Sequence, residues 1–274
     1  GRDALLGGNV PRAVESCIGL LGLLRASAGT SLVGRMVSSA GGRRTRDYCL
    51  ETARRASRSQ REELQLAVSR LSRGWPRLAN TLEQELVFAQ VAVFSPYWSP
   101  ENRARLPAEA LHLSRAGADL RNEASWVRSI RRSLFGRWSA RESCLLYARA
   151  LPLVDSPPHL ADPALRSMDE MPLFGRLADW NELGGGPDHW VILFRRVRGL
   201  ETDLALLGAG LAVWGFHDKN GAWPGSLSLV GDFVDIRTGR ALMLDSSGRG
   251  VSLVAPGDPL NAAQEIRVQL TELQ

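Results

Sequence analysis

The most regular pattern of apolar and polar positions lies between residues 187 and 217. Apolar side chains recur there at alternating steps of three and four residues, at Trp190, Leu193, Val197, Leu200, Leu204, Leu207, Leu211 and Trp214. This is the spacing of one apolar helix face and of the a/d positions of a coiled coil. Pro187 favours a helix start, and Asn220-Gly221 favours a left-handed stop. The pattern predicts one long helix from Pro187 to His217, packed on a sheet or helix of the same chain or on a coiled-coil partner.

The first half of the chain is also helical in pattern. From residue 11 to about residue 95, apolar residues recur at three- and four-residue spacing, with Arg, Glu and Gln between them. Ser57 or Ser59 is suited to cap a helix that begins there. The pattern resumes from about residue 108, and short connections between such helices favour antiparallel neighbours. Residues 1–155 are therefore expected to form a helical bundle.

Two breaks separate this part from the long helix. The stretch "LPLVDSPPHLADP" contains four prolines, which remove hydrogen-bond donors and favour extended backbone, and "LGGGP" follows at 183–187. The net charge changes sign at the same place. Residues 1–155 carry 24 Arg against 14 acidic residues, whereas residues 156–274 carry nine Arg and one Lys against 15. Residues 156–186 are therefore expected to be a linker between two regions with different surfaces.

Beyond Gly221 the pattern changes from helical to strand-like. "FVDI", "RALMLD" and "GVSLVA" are short runs rich in Val, Leu and Ile, and the turn sequences "RTG" and "SSGRG" separate them. Apolar and polar residues alternate over 265–273, which favours a last strand. The expected fold class is mainly α, with a helical bundle followed by a small α+β module over 187–274. In this module the long helix packs on a short antiparallel sheet.

The composition is that of a globular protein. Of the 274 residues, 44% are hydrophobic and 23% are charged, which argues against disordered and fibrous classes. The longest apolar run, Leu204 to Phe216, has 13 residues, whereas a spanning helix needs about 20. The sequence begins "GRDALL", with neither an initiator methionine nor an apolar signal core. We therefore expect contact with a membrane only through a segment that this chain lacks.

Three cysteines, Cys17, Cys49 and Cys144, lie far apart and show no CxxC or Cys/His metal spacing. One interpretation is that all three are small buried side chains. The other is a single disulfide with one thiol left over. Cys17 with Cys49 is then the preferred pair, because each lies on an early helix and an exporting compartment would permit the bond.

Three short motifs follow the long helix. They contain Gly221, Trp223, Pro224, Ser226 and Leu227, then Asp235, Thr238, Gly239 and Leu242, and finally Gly250, Leu253 and Gly257. With the helix, these residues resemble the C-terminal part of pseudopilin-like proteins related to the major pseudopilin of type II secretion, over about residues 188–259. Ile236 stands where that family usually has proline, and Ala255-Pro256-Gly257 stands where Ser-x-Gly is usual. The helical first half looks similar to bacterial envelope proteins that place such a module behind a helical domain and an N-terminal anchor.

The resemblance implies a calcium hypothesis, because the major pseudopilin class binds calcium here through loop carboxylates and carbonyls. Asp235, Asp245 and Asp258 lie in loops of the module, and calcium prefers such oxygen ligands. The alternative is that "DSSGRG" is a hairpin turn, since no compact Asp-x-Asp series is present.

The dipeptide His217-Asp218 suggests a general base oriented by a carboxylate. Adjacent helical residues point about 100° apart, however, and no motif supplies a nucleophile. The alternative is a helix C-terminus, where the positive charges of His217 and Lys219 suit the exposed carbonyls. The sequence favours this alternative.

Other candidate chemistry is weaker. His112, His159, His189 and His217 occur singly, and "LGGGPDHW" lacks a GxGxxG pattern, so that it is predicted to be a hinge rather than a phosphate loop. The Tyr-Trp pair in "SPYWSP" is either core or an interaction anchor. Arginines are interleaved with glutamates rather than gathered in one strip, so nucleic acid is not the expected partner. We expect no catalytic, cofactor-binding or metal-ligating residues and no cofactor.

These patterns favour a non-enzymatic protein of the bacterial cell envelope, periplasmic or otherwise extracytoplasmic. It would act as an assembly or interaction scaffold for protein partners through the pseudopilin-like module. The alternative is a soluble enzyme or ligand-binding protein with a cleft between its two halves.

Overall fold

The computed structural model describes residues 2–29, 31–88, 148–149, 151–156, 160–161, 163–164, 187–246, 250–257 and 265–272. The fold is mainly helical with a small antiparallel sheet region near the C-terminus, which confirms the predicted class. The chain divides into two compact units. The first consists of Gly1–Pro76, Pro157–His159 and Phe194–Gln274, and the second of Arg77–Ser156 and Leu160–Leu193.

The first unit begins with helices α1 (Arg2–Leu6), α2 (Val10–Ala28), α3 (Leu32–Arg55) and α4 (Arg58–Arg73). Side chains cap the last three of these helices, because their oxygens accept hydrogen bonds from backbone N–H groups of the first turn. Asn9 caps α2 and Ser31 caps α3. Ser57 caps α4 in a reciprocal capping box with Gln60. Ser57 was one of the two serines predicted to begin this helix.

Helices α2 and α3 are joined by a disulfide between Cys17 and Cys49, and both residues are fully buried. The structure thus has the preferred pairing; Cys144 lies outside the described residues. Hydrogen bonds to main-chain carbonyls link the same helices, among them those from Tyr48 to Ala13 at 3.2 Å and from Ser38 to Leu24 at 2.9 Å. Because the partners run in opposite directions, α2 and α3 are antiparallel.

The second unit contains helix α5 (Leu78–Phe88). Asp155 binds the N-terminus of α5, because one of its carboxylate oxygens accepts hydrogen bonds from the N–H groups of Leu78 at 3.1 Å and Ala79 at 3.4 Å. The other oxygen pairs with Arg77 at 2.9 Å. A carboxylate at this position suits the positive end of a helix.

The long helix, α6, spans Pro187–Asn220, so the predicted helix is confirmed and extends three residues beyond His217. From Val197 onward, every predicted apolar position is buried. The other side of the helix is buried as well, at Leu206, Ala209 and Val213. The helix ends at Gly221, which has a φ of 66° and donates its N–H to the carbonyl of His217 at 2.8 Å. Glycine adopts this left-handed conformation without a Cβ clash.

After α6 the chain makes a short 3₁₀ turn, Leu227–Leu229, and two antiparallel sheets. The strands are β1 (Val234–Asp235) paired with β2 (Arg240–Ala241), and β3 (Met243–Asp245), β4 (Gly250–Ala255) and β5 (Ile266–Glu272) in the order β3-β4-β5. All the predicted strand segments are present. "RALMLD" is divided into β2 and β3 at Leu242, because the N–H of this buried residue donates to the carbonyl of Phe233 at 2.8 Å. Every residue of β4 is buried.

One hydrophobic core joins the N-terminal helices, α6 and the sheets. A Cβ added to Gly210 of α6 would lie 2.7 Å from Leu50 Cδ2 in α3 and 3.2 Å from Leu270 Cδ2 in β5. A Cβ added to Gly42 of α3 would lie 2.5 Å from Leu200 Cδ1 in α6. Helix α6 is therefore enclosed between α3 and the three-stranded sheet.

This arrangement differs from the expected division into 1–155, 156–186 and 187–274. Residues 1–76 belong to the same compact unit as the sheets, because α6 packs on α3 as well as on strands. Local periodicity shows that α6 has an apolar face but not which distant segment covers it. Within the described ranges, no helix combines the length and apolar character needed to cross a bilayer.

Candidate functional site

Buried polar groups gather where α3, α6 and the turn between β1 and β2 meet. We call Arg46, Thr202, Asp203, Asp235 and Arg237 the buried charge cluster. Arg46, Thr202, Asp203 and Asp235 are buried, and the Arg237 side chain is 13% exposed. Charged side chains are seldom buried unless they are paired. These contacts are therefore the first place to look for chemistry.

Asp235 is the most completely bonded member of the buried charge cluster. Its Oδ1 accepts hydrogen bonds from the Thr202 hydroxyl at 2.8 Å and from the backbone N–H and Nε of Arg237, both at 3.0 Å. Its Oδ2 accepts one from Arg237 Nη2 at 2.8 Å. The Asp235 carbonyl also accepts hydrogen bonds from the N–H groups of Thr238 and Gly239. Asp235 thus closes the turn between β1 and β2 and fastens it to α6.

Asp203 has a different environment. Its Oδ1 accepts one hydrogen bond, from Arg46 Nη1 at 2.6 Å, while Nε and Nη2 of Arg46 both donate to Asp47. Burial raises the pKa of Asp203 from 3.8 to about 6, against the lowering effect of Arg46 and with a further raising effect from Asp47. Asp203 is therefore a buried carboxyl whose pKa lies well above that of an ordinary aspartate.

At the C-terminus of α6, the side chains of His217 and Asp218, which the sequence suggests as a general-base pair, contact different residues. The His217 ring stacks on Trp223 with centroids 4.1 Å apart, whereas both Asp218 oxygens accept hydrogen bonds from Arg61 at 2.8 Å. Arg61 also donates to the carbonyls of Ala53 and Ala56 near the end of α3. His217 and Asp218 therefore make two different contacts at the helix end, and His217 and Lys219 lie in the last turn of α6, where the sequence predicts a helix C-terminus.

The carboxylates of the calcium hypothesis do not form one group among the described residues. Asp235 belongs to the buried charge cluster, Asp245 pairs with Arg267 across the sheet, and Asp258 lies outside the described residues. Within the described ranges, no three or more His, Cys, Asp or Glu side chains are placed to hold a metal ion.

Several other predicted features cannot be placed. His112, His159, the "SPYWSP" segment and residues 183–186 lie outside the described residues. His189 is part of α6, but its side chain is not described.

The sequence interpretation missed Arg46 and Asp203. The signal for Asp203 in the sequence is its place directly before the uncharged apolar run Leu204–Phe216 of this helix. Arg46 gives no signal of its own, because it is one of many arginines in the first half of the chain. Comparisons with protein-family models, curated proteins and solved structures find no match for this chain.

Proposed function

We propose that this chain is a non-enzymatic bacterial envelope protein that acts as an assembly or protein-interaction scaffold through its pseudopilin-like module. The observation that carries the proposal is the position of the motif residues. Pro224, Leu227, Asp235, Leu242 and Leu253 are all buried where α6, its terminal corner and the strands meet. Residues that match the motifs of such a module thus have structural roles that fit a helix-on-sheet fold.

The disulfide supports an extracytoplasmic location. Disulfides form and persist in oxidising compartments such as the bacterial periplasm, and they are rare in the reducing cytosol. The Cys17–Cys49 bond lies in the core between α2 and α3, so it is part of the fold rather than an exposed redox pair.

The polar contacts support a non-enzymatic role. Asp218, the carboxylate of the general-base pair that the sequence suggests, is engaged with Arg61, and Asp235 is engaged with Arg237. His217 is stacked on Trp223. Side chains held in this way stabilise the fold but do not converge on a position for a reacting group.

The module also exposes apolar side chains that a partner could cover. Leu229 is 61% exposed and Met243 is 51% exposed. Val234 pairs with Ala241 across β1 and β2, and both residues are exposed; Ala241 precedes Met243 by two residues in the chain. Exposed apolar residues of this kind are used in protein interfaces when they lie together.

Site-specific photo-crosslinking tests the proposal. A photoreactive amino acid replaces Leu229 or Met243 in the protein made by its native bacterium, and Leu66 of α4, which is 58% exposed, is the matched control outside the module. Contact through the module predicts crosslinked species of defined mass from positions 229 and 243 but not from position 66. Equal crosslinking from all three positions, or none from the module, would contradict it.

A further inference from the structure

Asp203 differs from Asp218 and Asp235 in how its charge is compensated. Asp218 receives two hydrogen bonds from Arg61, and Asp235 receives four from Thr202 and Arg237. Among the described residues, Asp203 receives one hydrogen bond, from Arg46. A buried carboxylate with so few donors recovers little of the hydration that it lost on folding.

The packing around Asp203 explains why few donors reach it. Its Oδ2 lies against the backbone of α3 at Gly42, where an added Cβ would be 3.2 Å away. The Leu200 side chain fills the adjacent space at the same glycine. The carboxyl is thus pressed against a helix backbone and an apolar side chain at the closest approach of α3 to α6.

The charges facing Asp203 come from three elements. Helix α3 contributes Arg43, Arg46 and Asp47, and the turn between β1 and β2 contributes Arg237, which is itself bound to Asp235. On α6, the neighbouring Arg198 and Glu201 pair with each other at 3.2 Å, and Arg35 of α3 lies 4.0 Å from Glu201.

Arg46 cannot fully compensate Asp203, because the same guanidinium also binds Asp47. The Asp47 side chain is half exposed and stays in contact with water, whereas Asp203 is buried and has little contact with water. The two carboxylates therefore compete for one arginine at the contact between the helices.

We propose that Asp203 is a proton-sensitive switch at the contact between α3 and α6, and that uptake of one proton tightens this contact in mildly acidic surroundings. The inference is independent of the scaffold function, since it depends only on the geometry of the buried charge cluster. The sign of the pH dependence follows from the linkage between proton binding and folding. The folded chain binds this proton more tightly than the unfolded chain, so the stability due to protonated Asp203 is present at low pH. It is lost as pH rises from about 4 to about 6.

Hydrogen exchange of the α3 and α6 amides tests the proposal, with rates corrected for the intrinsic effect of pH. A carboxyl with a pKa near 6 in the folded chain and near 4 in the unfolded chain predicts an opening equilibrium constant about tenfold smaller at pH 5 than at pH 7. Asp203→Asn should remove this response. Asp218→Asn, the matched change at the doubly bonded aspartate, should keep it. The proposal fails if Asp203→Asn responds to pH as the wild type does.

A second measurement keeps the test decisive if Asp203→Asn does not fold. Carboxyl carbon chemical shifts of the wild-type protein report the titration of Asp203 directly. A midpoint near pH 6 supports the switch, and a midpoint below pH 5 overturns it.

Discussion

Loss of the Cys17–Cys49 disulfide should destabilise the first unit strongly. The bond closes a loop with a sequence separation of 32 residues. In the chain-entropy model, a loop of this length contributes about 3.7 kcal/mol at 25 °C by restricting the unfolded chain. The double variant Cys17→Ala/Cys49→Ala also removes two sulfur atoms from the buried core, which adds a cavity cost. We expect a loss of about 3–5 kcal/mol, a large part of the typical stability of about 5–15 kcal/mol.

Urea unfolding followed by far-UV circular dichroism measures this loss. The oxidised protein, the same protein reduced in dithiothreitol and the double alanine variant are compared, and dithiothreitol treatment of the double variant is the control that should leave its stability unchanged. Alkylation after acid quenching of native cells should modify one thiol before reduction and three after it. A loss below about 1 kcal/mol, or three reactive thiols without reduction, would refute the reasoning.

Two further substitutions test the packing and charge contacts of α6. Gly210→Ala should lower the free energy of unfolding in urea by about 1–3 kcal/mol, because its Cβ would lie 2.7 Å from Leu50 Cδ2. Gly215→Ala is the control and should be neutral or stabilising, because its Cβ would lie at an ordinary 3.5 Å from Gln65 Oε1. Similar losses in both variants would contradict the enclosure of α6. Arg61→Gln should cost about 2 kcal/mol, because it removes two hydrogen bonds from the largely buried Asp218. Arg58→Gln, which breaks an exposed pair, should cost under about 0.5 kcal/mol, and equal costs would show that the Arg61 contact contributes little.

Elements with strong local signals could be predicted from the sequence. The three- and four-residue spacing placed α6, and Asn220-Gly221 placed its end, because a left-handed residue is needed there and glycine supplies it. Alternating apolar residues placed β5, and Ser57 placed the start of α4. Each of these signals lies within a few residues of the feature that it specifies.

Contacts between distant segments could not be predicted. Arg46 binds Asp203 and Arg61 binds Asp218 across 157 residues of sequence in each case. Residues 1–155 contain 24 arginines, and their spacing does not distinguish these two from the rest. The segments that pack on α6 could not be predicted either, because its periodicity is compatible with packing on a sheet, a helix or both.

The pairing of Cys17 with Cys49 could be predicted only in part. The positions of both residues on early helices favoured the bond, but two buried thiols would satisfy the same pattern. Only the antiparallel packing of α2 on α3 brings the two side chains together.

The central structural claim is that the N-terminal helices and the C-terminal module form one unit around α6. Native-state hydrogen exchange at increasing urea concentration tests it most directly, because segments that unfold together converge on one opening free energy. We predict that the most protected amides of α2, α3, α6 and β4 converge on the same value. Early exchange of α2 and α3, while α6 and β4 stay protected, would contradict the claim.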